Sequence, residues 1–568
     1  MNAQTTTVTH YSILVGIDDY PDKPLKSCVH DVQNIKEYLE SILQKSINVQ
    51  ILTASQTDWK PSGPARGSIL WPTYDNIISV FTKVISLAKA GDYVYIHYSG
   101  HGTQKPPSGE FSNQSTGDLA LVLLSGGEEN HVRYLWGFEL ASLLKNPKKR
   151  SWDEVNSPEY RDTSMRPNWL TRPDRYAILA ACGSNEEAFG LNSDGQSHGA
   201  LSYFLLRAIK CVGLKKRHGD IYDHLRARFQ SSGLPQNPVL YGNRNQGFFG
   251  QVNSDITAID VSITVRQNGT LELQAGHAHG ISTGDKFLLY HLGYAEGDPR
   301  SQGHSVVTKV TDARALTSDL ERLDTPSVRV RTGWMARALT RYSLQRFPIR
   351  LASGLPHRDE WSAALKERSL DIHVDADKHG FAFDVVLNND TDYDILDESC
   401  NKIINLPKKP QDQTSVSQIS SILEHLARFR LARDLGNKAS ADSFRESFEV
   451  CVRSNGKSFS PNCLVEMHHN SIADLVVENR GEKVLYVFVY NLGPCWQVVN
   501  VYQATYAVVT LESNQKGHKR TISKKLQMKV PEQMKEKDYR SCEDIVKVFV
   551  TSQPTSFDLL ELPRPCGQ

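Results

Sequence analysis

No stretch of this sequence approaches the roughly 18 consecutive apolar residues that a bilayer-spanning helix needs, so its own pattern predicts no membrane span. It lacks an excess of either charge as well. With 65 basic against 64 acidic residues the net charge is +1, which gives no electrostatic basis for nucleic acid or an anionic membrane as partner. The one basic run, Lys215-Lys216-Arg217, reads as solvated surface. The first ten residues are polar and Thr-rich, without a basic segment leading into an apolar one, so a secretory leader is not expected. The nine cysteines are odd in number, scattered and never spaced C-x-x-C, which argues against a disulfide framework and against a structural zinc site. A reducing, cytoplasmic location is the resulting expectation. No fixed-period repeat and no long low-complexity tract is present.

What is present is ordinary globular material, 39% hydrophobic and 23% charged over 568 residues, enough for two to four domains. The first part alternates two periodicities. Short apolar runs at Tyr11–Gly16, Val49–Thr53, Asp92–Tyr98 and Tyr176–Ala181 predict strands. Between them, Asp31–Leu43, Tyr74–Ala88 (with Thr73 as its cap) and Gly199–Val212 carry apolar residues at helical spacing. This order predicts an α/β domain over residues 1–252, a mainly parallel sheet covered by helices on both faces. Later residues are β-rich. Strand candidates at Ile259–Val265, Thr270–Gln274, Lys286–Tyr290, Val306–Val310 and Val328–Arg331 suggest a small barrel or sandwich over 253–345. A mixed connector over 346–455 contains a helix at 413–435, which Gly436 can end. A C-terminal β-rich module follows over 456–568, and Pro407–Gln413 is the best linker candidate. The module's aromatics, Tyr486, Phe488, Tyr490, Trp496 and Tyr502, read as sandwich core or as a binding face.

The sharpest chemical signal is Tyr98-Ser99-Gly100-His101-Gly102, directly after the third strand. A histidine there stands at the carboxyl edge of a parallel sheet, where ligands bind. The flanking glycines admit a substrate backbone, and the Gly102 amide can donate to an oxyanion. The plainer reading is a loop histidine bonded within its own turn.

The blocks YSILVGIDDYPDKPLKSCVHDVQNIKEYL, GDYVYIHYSGHGTQ, YAILAACGSNEEAFG and HGALSYFLLRAI, in that order, resemble the caspase/metacaspase (peptidase C14, clan CD) family over about residues 10–250. The remainder more weakly resembles the β-rich tails that follow such domains in fungal caspase-like proteins. The resemblance implies a three-layer sandwich and a cysteine endopeptidase in which histidine takes the thiol proton and the thiolate attacks the scissile carbonyl. It implies a protein or peptide substrate, no cofactor, and His101 as the dyad histidine. Cys28, Asp31 and Ser99 then match positions lining a pocket for a basic side chain, so cleavage after Lys or Arg is expected over cleavage after Asp. Asp31 reads equally as a cap of the helix it begins.

The family's nucleophile block has no counterpart. Lys145–Arg175, where it should fall, contains no cysteine, no apolar strand run and four prolines. Cys182 resembles a pocket cysteine at the end of the fifth strand; it becomes a dyad cysteine only if that strand closes the gap beside Asp92–Tyr98. Two readings therefore stand: an endopeptidase using His101 and Cys182, and a catalytically dead scaffold that binds partners. The stretch at 145–175 also admits a precursor regulated by cleavage there. The acidic pair of a metacaspase calcium site is replaced near Gly137 and Phe138, leaving Asp118 alone, too few oxygens for calcium. His277-x-His279 has no third ligand nearby and reads as a solvated loop.

Overall fold

The computed structural model describes residues 8–55, 63–105, 118–126, 131–145, 176–183, 186–193, 195–252, 259–294, 305–323, 328–373, 380–437, 443–502, 506–511 and 520–565. They form two compact units, one of residues up to 252 and one from 259 onward.

The first unit is α/β. Strand β1 (His10–Ile17) leads into helix α1 (Cys28–Leu43), strand β2 (Ile47–Ala54), helix α2 (Tyr74–Leu87) and strand β3 (Tyr93–Ser99). The three strands are parallel in the order β2-β1-β3, with Leu14 opposite both Ile51 and His97. The two-residue period of a strand sends neighbours to opposite faces. Ile13, Val15 and Ile17 pack against Ile77, Phe81 and Val84 of α2. Leu14 packs on the other face against Val32, Ile35 and Leu39 of α1. Each such buried branched side chain stabilises the unit by about 1.5–3 kcal/mol. The Thr73 hydroxyl caps α2, accepting from the Asn76 amide at 3.2 Å.

Beyond β3, strands β4 (Gly102–Lys105), β5 (Asp118–Leu124) and β6 (Val132–Trp136) form a small antiparallel sheet followed by helix α3 (Gly137–Lys145). The segment at 146–175, where the missing block was expected, lies outside the described residues. Strand β7 (Ala177–Ala180) is followed by a hairpin of β8 (Gly190–Ser193) and β9 (Gln196–Gly199). Helices α4 (Ala200–Val212) and α5 (His218–Ser232) and strand β10 (Val239–Gly242) complete the unit. Among the described residues β7 pairs with β10, antiparallel, and β3 pairs with β1; no ladder joins β7 to β3. The fifth strand thus does not close onto the third.

The second unit opens with a closed six-stranded barrel. Its strands are β11 (Val261–Val265), β12 (Leu271–Leu273), β13 (Lys286–Tyr290), β14 (Ser305–Ala313), β15 (Ser318–Arg322) and β16 (Met335–Ala338), in the order β11-β12-β15-β14-β13-β16. The strand expected at Val328–Arg331 is not one. Val330 fills the barrel core from a loop, and a turn through Gly333 (φ 87°) delivers the sixth strand a few residues later. His279 is not solvated either: it is buried, its Nδ1 accepts from the Gly276 amide at 3.0 Å and its Nε2 meets the Ser556 carbonyl at 2.9 Å.

Residues 349–351, 383–387 and 393–396 form a three-stranded sheet packed on helices α6 (Arg358–Glu367) and α7 (Val416–Asp434). Trp361, Leu365, Ile419, Leu423 and Leu426 fill this core. The proposed linker is part of it. Lys409 is buried and its carbonyl accepts from the Tyr393 amide at 2.9 Å, which ties the segment to a strand. Further on, antiparallel strands bury Phe488, Tyr490 and Tyr502, with Phe488 and Phe557 rings 4.8 Å apart edge to face. The Trp496 indole donates to the Ile404 carbonyl at 2.8 Å. Phe488, Tyr490 and Tyr502 are packing, while Tyr486 and Trp496 are half-buried.

Candidate active site

His101 lies two residues past the end of β3, at the carboxyl edge of the parallel sheet. Its backbone is fixed from both sides by two tyrosines, Tyr98 of its own motif and Tyr20, which the sequence did not single out. Its amide donates to the Tyr20 hydroxyl at 2.9 Å, and the Tyr98 hydroxyl donates to its carbonyl at 2.7 Å. The two hydroxyls meet at 2.9 Å, and the Tyr20 ring lies against the imidazole at 4.5 Å. The imidazole Nε2 faces the Lys23 carbonyl at 2.6 Å. A carbonyl only accepts, so Nε2 must carry a proton, and the neutral ring has its lone pair on Nδ1. Lys23 holds a positive φ of 55°, unfavourable for a residue with a side chain. That turn aims its carbonyl at the ring.

Gly102 is exposed and opens β4. The Val122 amide donates to the His101 carbonyl at 3.0 Å, while Gly102 stands opposite Leu121. Hydrogen-bonded and non-hydrogen-bonded pairs alternate in an antiparallel ladder. The Gly102 N–H therefore points away from β5.

Asp31, Ser99 and Cys28 come together one turn into α1, all three buried. Asp31 does not cap its helix. Asp18 does, with its carboxylate accepting from the Cys28 amide at 2.8 Å and the Val29 amide at 3.3 Å. Asp31 instead turns toward the C-terminal ends of the strands. Its Oδ2 accepts from the Gly199 amide at 2.9 Å and the Ser99 hydroxyl at 3.3 Å. Burial pushes its carboxyl up to about 6, opposed by the bonds from Gly199, Ser202 and Ser99. Burial likewise pushes the Cys28 thiol up to about 12, so this cysteine lines the site as a neutral group.

Cys182 follows β7 in a loop held by Glu186. That carboxylate accepts from the amides of Gly183 at 3.1 Å and Asn237 at 2.7 Å and from the Asn237 side chain at 2.7 Å. The thiol donates to the Glu186 carbonyl at 3.3 Å. Burial, and then the nearby charges of Glu186 and Glu187, push it up to about 11. No hydrogen bond joins Cys182 to His101 among the described residues. Tyr20, Asp18 and Glu186 were legible only as polar residues beside turns; nothing in the sequence gave them partners. Among the described residues no group of three His, Cys, Asp or Glu is arranged to hold a metal ion, and the side chain of Asp118 lies outside them.

Residues 11–130 match the family model for the metacaspase, peptidase C14 domain. Metacaspase III c of Phaeodactylum tricornutum is 26% identical over 129 residues, 22% of this chain and 35% of that protein. Metacaspase-8 of Arabidopsis thaliana is 34% identical over 108 residues, 19% of this chain and 26% of that protein. Metacaspase-1A of Aspergillus oryzae is 33% identical over 102 residues, 18% of this chain and 22% of that protein. The chain thus spans 22–35% of the length of these relatives.

Proposed function

With a caspase/metacaspase-like domain in its first unit, we propose that this chain is a cysteine-type endopeptidase of that family, acting on protein or peptide substrates in a three-layer caspase-like fold. The observation that carries the reading is the state of His101: pinned by Tyr20 and Tyr98, its Nε2 spent on the Lys23 carbonyl, its Nδ1 left to take a proton. In this role Nδ1 accepts the thiol proton, the thiolate attacks the scissile carbonyl, and the Gly102 amide receives the oxyanion. Asp31, with Ser99 and Cys28 beside it, selects Lys or Arg before the cut.

The nucleophile assigned by this reading is Cys182, and its surroundings favour a second reading. A thiol at about 11, bonded to the Glu186 carbonyl, is almost wholly protonated at neutral pH. In this arrangement the unit binds peptides without cutting them. Fluorogenic peptides ending in Lys or Arg, with parallel peptides ending in Asp, separate the two. The endopeptidase reading expects turnover of the basic peptides that both His101→Ala and Cys182→Ala reduce at least a hundredfold. Iodoacetamide labelling of Cys182 should then be fast and depend on His101. Slow labelling indifferent to His101→Ala, with no turnover, establishes the binding-only form. Cleavage chiefly after Asp would remove Asp31 from its assigned role.

A further inference from the structure

Asp31 does not face an empty pocket. The end of the β8–β9 hairpin lies over it. The Gly199 amide and Ser99 hydroxyl occupy Oδ2, and His198 Nδ1 stands 3.4 Å from Oδ1. The Asp31 side chain is 1% exposed and that of His198 12%. The hairpin sits close: a Cβ on Gly199 would lie 2.9 Å from Oδ2, nearer than real carbon atoms approach. The His198 ring is held in turn between two others, His30 and Tyr203, each 5.3 Å away and tilted 40°. The His30 Nε2, on α1, lies 2.9 Å from the Gln196 side-chain oxygen of the hairpin and 3.0 Å from the side-chain nitrogen of its helix neighbour Asn34.

A carboxylate offers about four acceptor directions. Four groups of this chain, Gly199, Ser99, Ser202 and His198, are directed at it here. We propose that His198 is the specificity-determining gate of the Asp31 pocket: its imidazole occupies the place of a substrate's cationic group, and a Lys or Arg side chain reaches Asp31 only by displacing it. The inference rests on the reading of Asp31 as the basic-residue pocket. A guanidinium presents several donors in a planar fork to the Oδ1 that the imidazole vacates, so arginine is the better displacer, and lysine, a point charge, the poorer. The ring packing on His30 and Tyr203 is lost when the gate opens, which weakens binding of every basic ligand relative to an open pocket.

Binding of benzamidine, an aromatic amidinium, to the full chain by calorimetry tests this without requiring catalysis. His198→Ala should bind at least tenfold tighter than the parent chain, and the double variant with Asp31→Asn should lose that gain. If the alanine variant does not fold, as judged by its thermal melt, His198→Ser carries the same expectation. A parent chain and His198→Ala of equal affinity overturn the gate, while the pocket reading survives if Asp31→Asn still weakens binding of an arginine peptide. A gain that persists in the double variant, or an Asp31→Asn change without effect in either background, overturns the pocket reading itself.

Discussion

Asp31 is a charge that its surroundings disfavour. In the unfolded chain its carboxyl titrates near 3.8; buried in the fold it is raised to about 6. Between those values the folded chain keeps a proton that the unfolded chain has released, so stability falls as pH rises through that window. The penalty is absent below about pH 4 and complete above about pH 6, with an upper bound near 3 kcal/mol from the size of the shift. Asp31→Asn removes the charge and keeps an oxygen for the Gly199 amide. It should therefore stabilise the first unit by about 1–3 kcal/mol at pH 7.5 and by little at pH 4.5, read from urea unfolding at both. A variant less stable than the parent at pH 7.5 would show that the contacts made by the Asp31 carboxylate outweigh its desolvation. At this scale the sequence named His101 and Gly102 from one short motif, and Asp31 and Ser99 only through the family resemblance. It could not name His198, since the contact joins residues separated by more than 160 positions, like that of Gly199 with Asp31, which spans 168.

Elements were legible where one physical cause dominated. Helix α2 is an example: apolar residues at helical spacing, and a threonine before them whose hydroxyl takes an orphan amide. Thr73→Ala should cost about 1 kcal/mol, within the usual 0.5–2 range for a lost cap. Urea unfolding should show a lower midpoint at unchanged slope, and Thr73→Ser should restore most of the loss. Helix α5 was not legible. Its buried positions include Asp223 and Arg226, which break the apolar stripe, and Asp223 is compensated by Arg244 at 3.1 Å from outside the helix. Strand β4 was not legible for a related reason: it is four residues long and three of them are polar or charged, so its pairing with β5 supplies the order that its own pattern does not.

Over the whole chain, the segment Pro407–Gln413 tests whether composition or contacts decide a boundary. Proline, lysine and glutamine suggest an exposed linker. The segment is instead bonded to its neighbours through the Lys409 carbonyl and through the Gln411 amide, which donates to the Thr391 carbonyl at 3.1 Å. Brief trypsin digestion of the folded chain should therefore spare the Lys408–Lys409 bond, which becomes a cleavage site only after unfolding, Pro410 protecting the next bond in either state; an early cut there would mean the segment opens freely. By itself the sequence determined the alternation that builds β1, β2 and β3 with α1 and α2, because strand and helix periods are local and repeat within a few residues. It determined also that Lys145–Arg175 holds no cysteine, the stretch in which the family resemblance implies a nucleophile. Tertiary structure decided the rest: that β7 pairs with β10 and leaves Cys182 bonded to Glu186, and that His198 covers Asp31. Strand pairing and burial are set by the competition of distant segments for the same hydrogen bonds and the same dry space, and no local pattern records which of them wins.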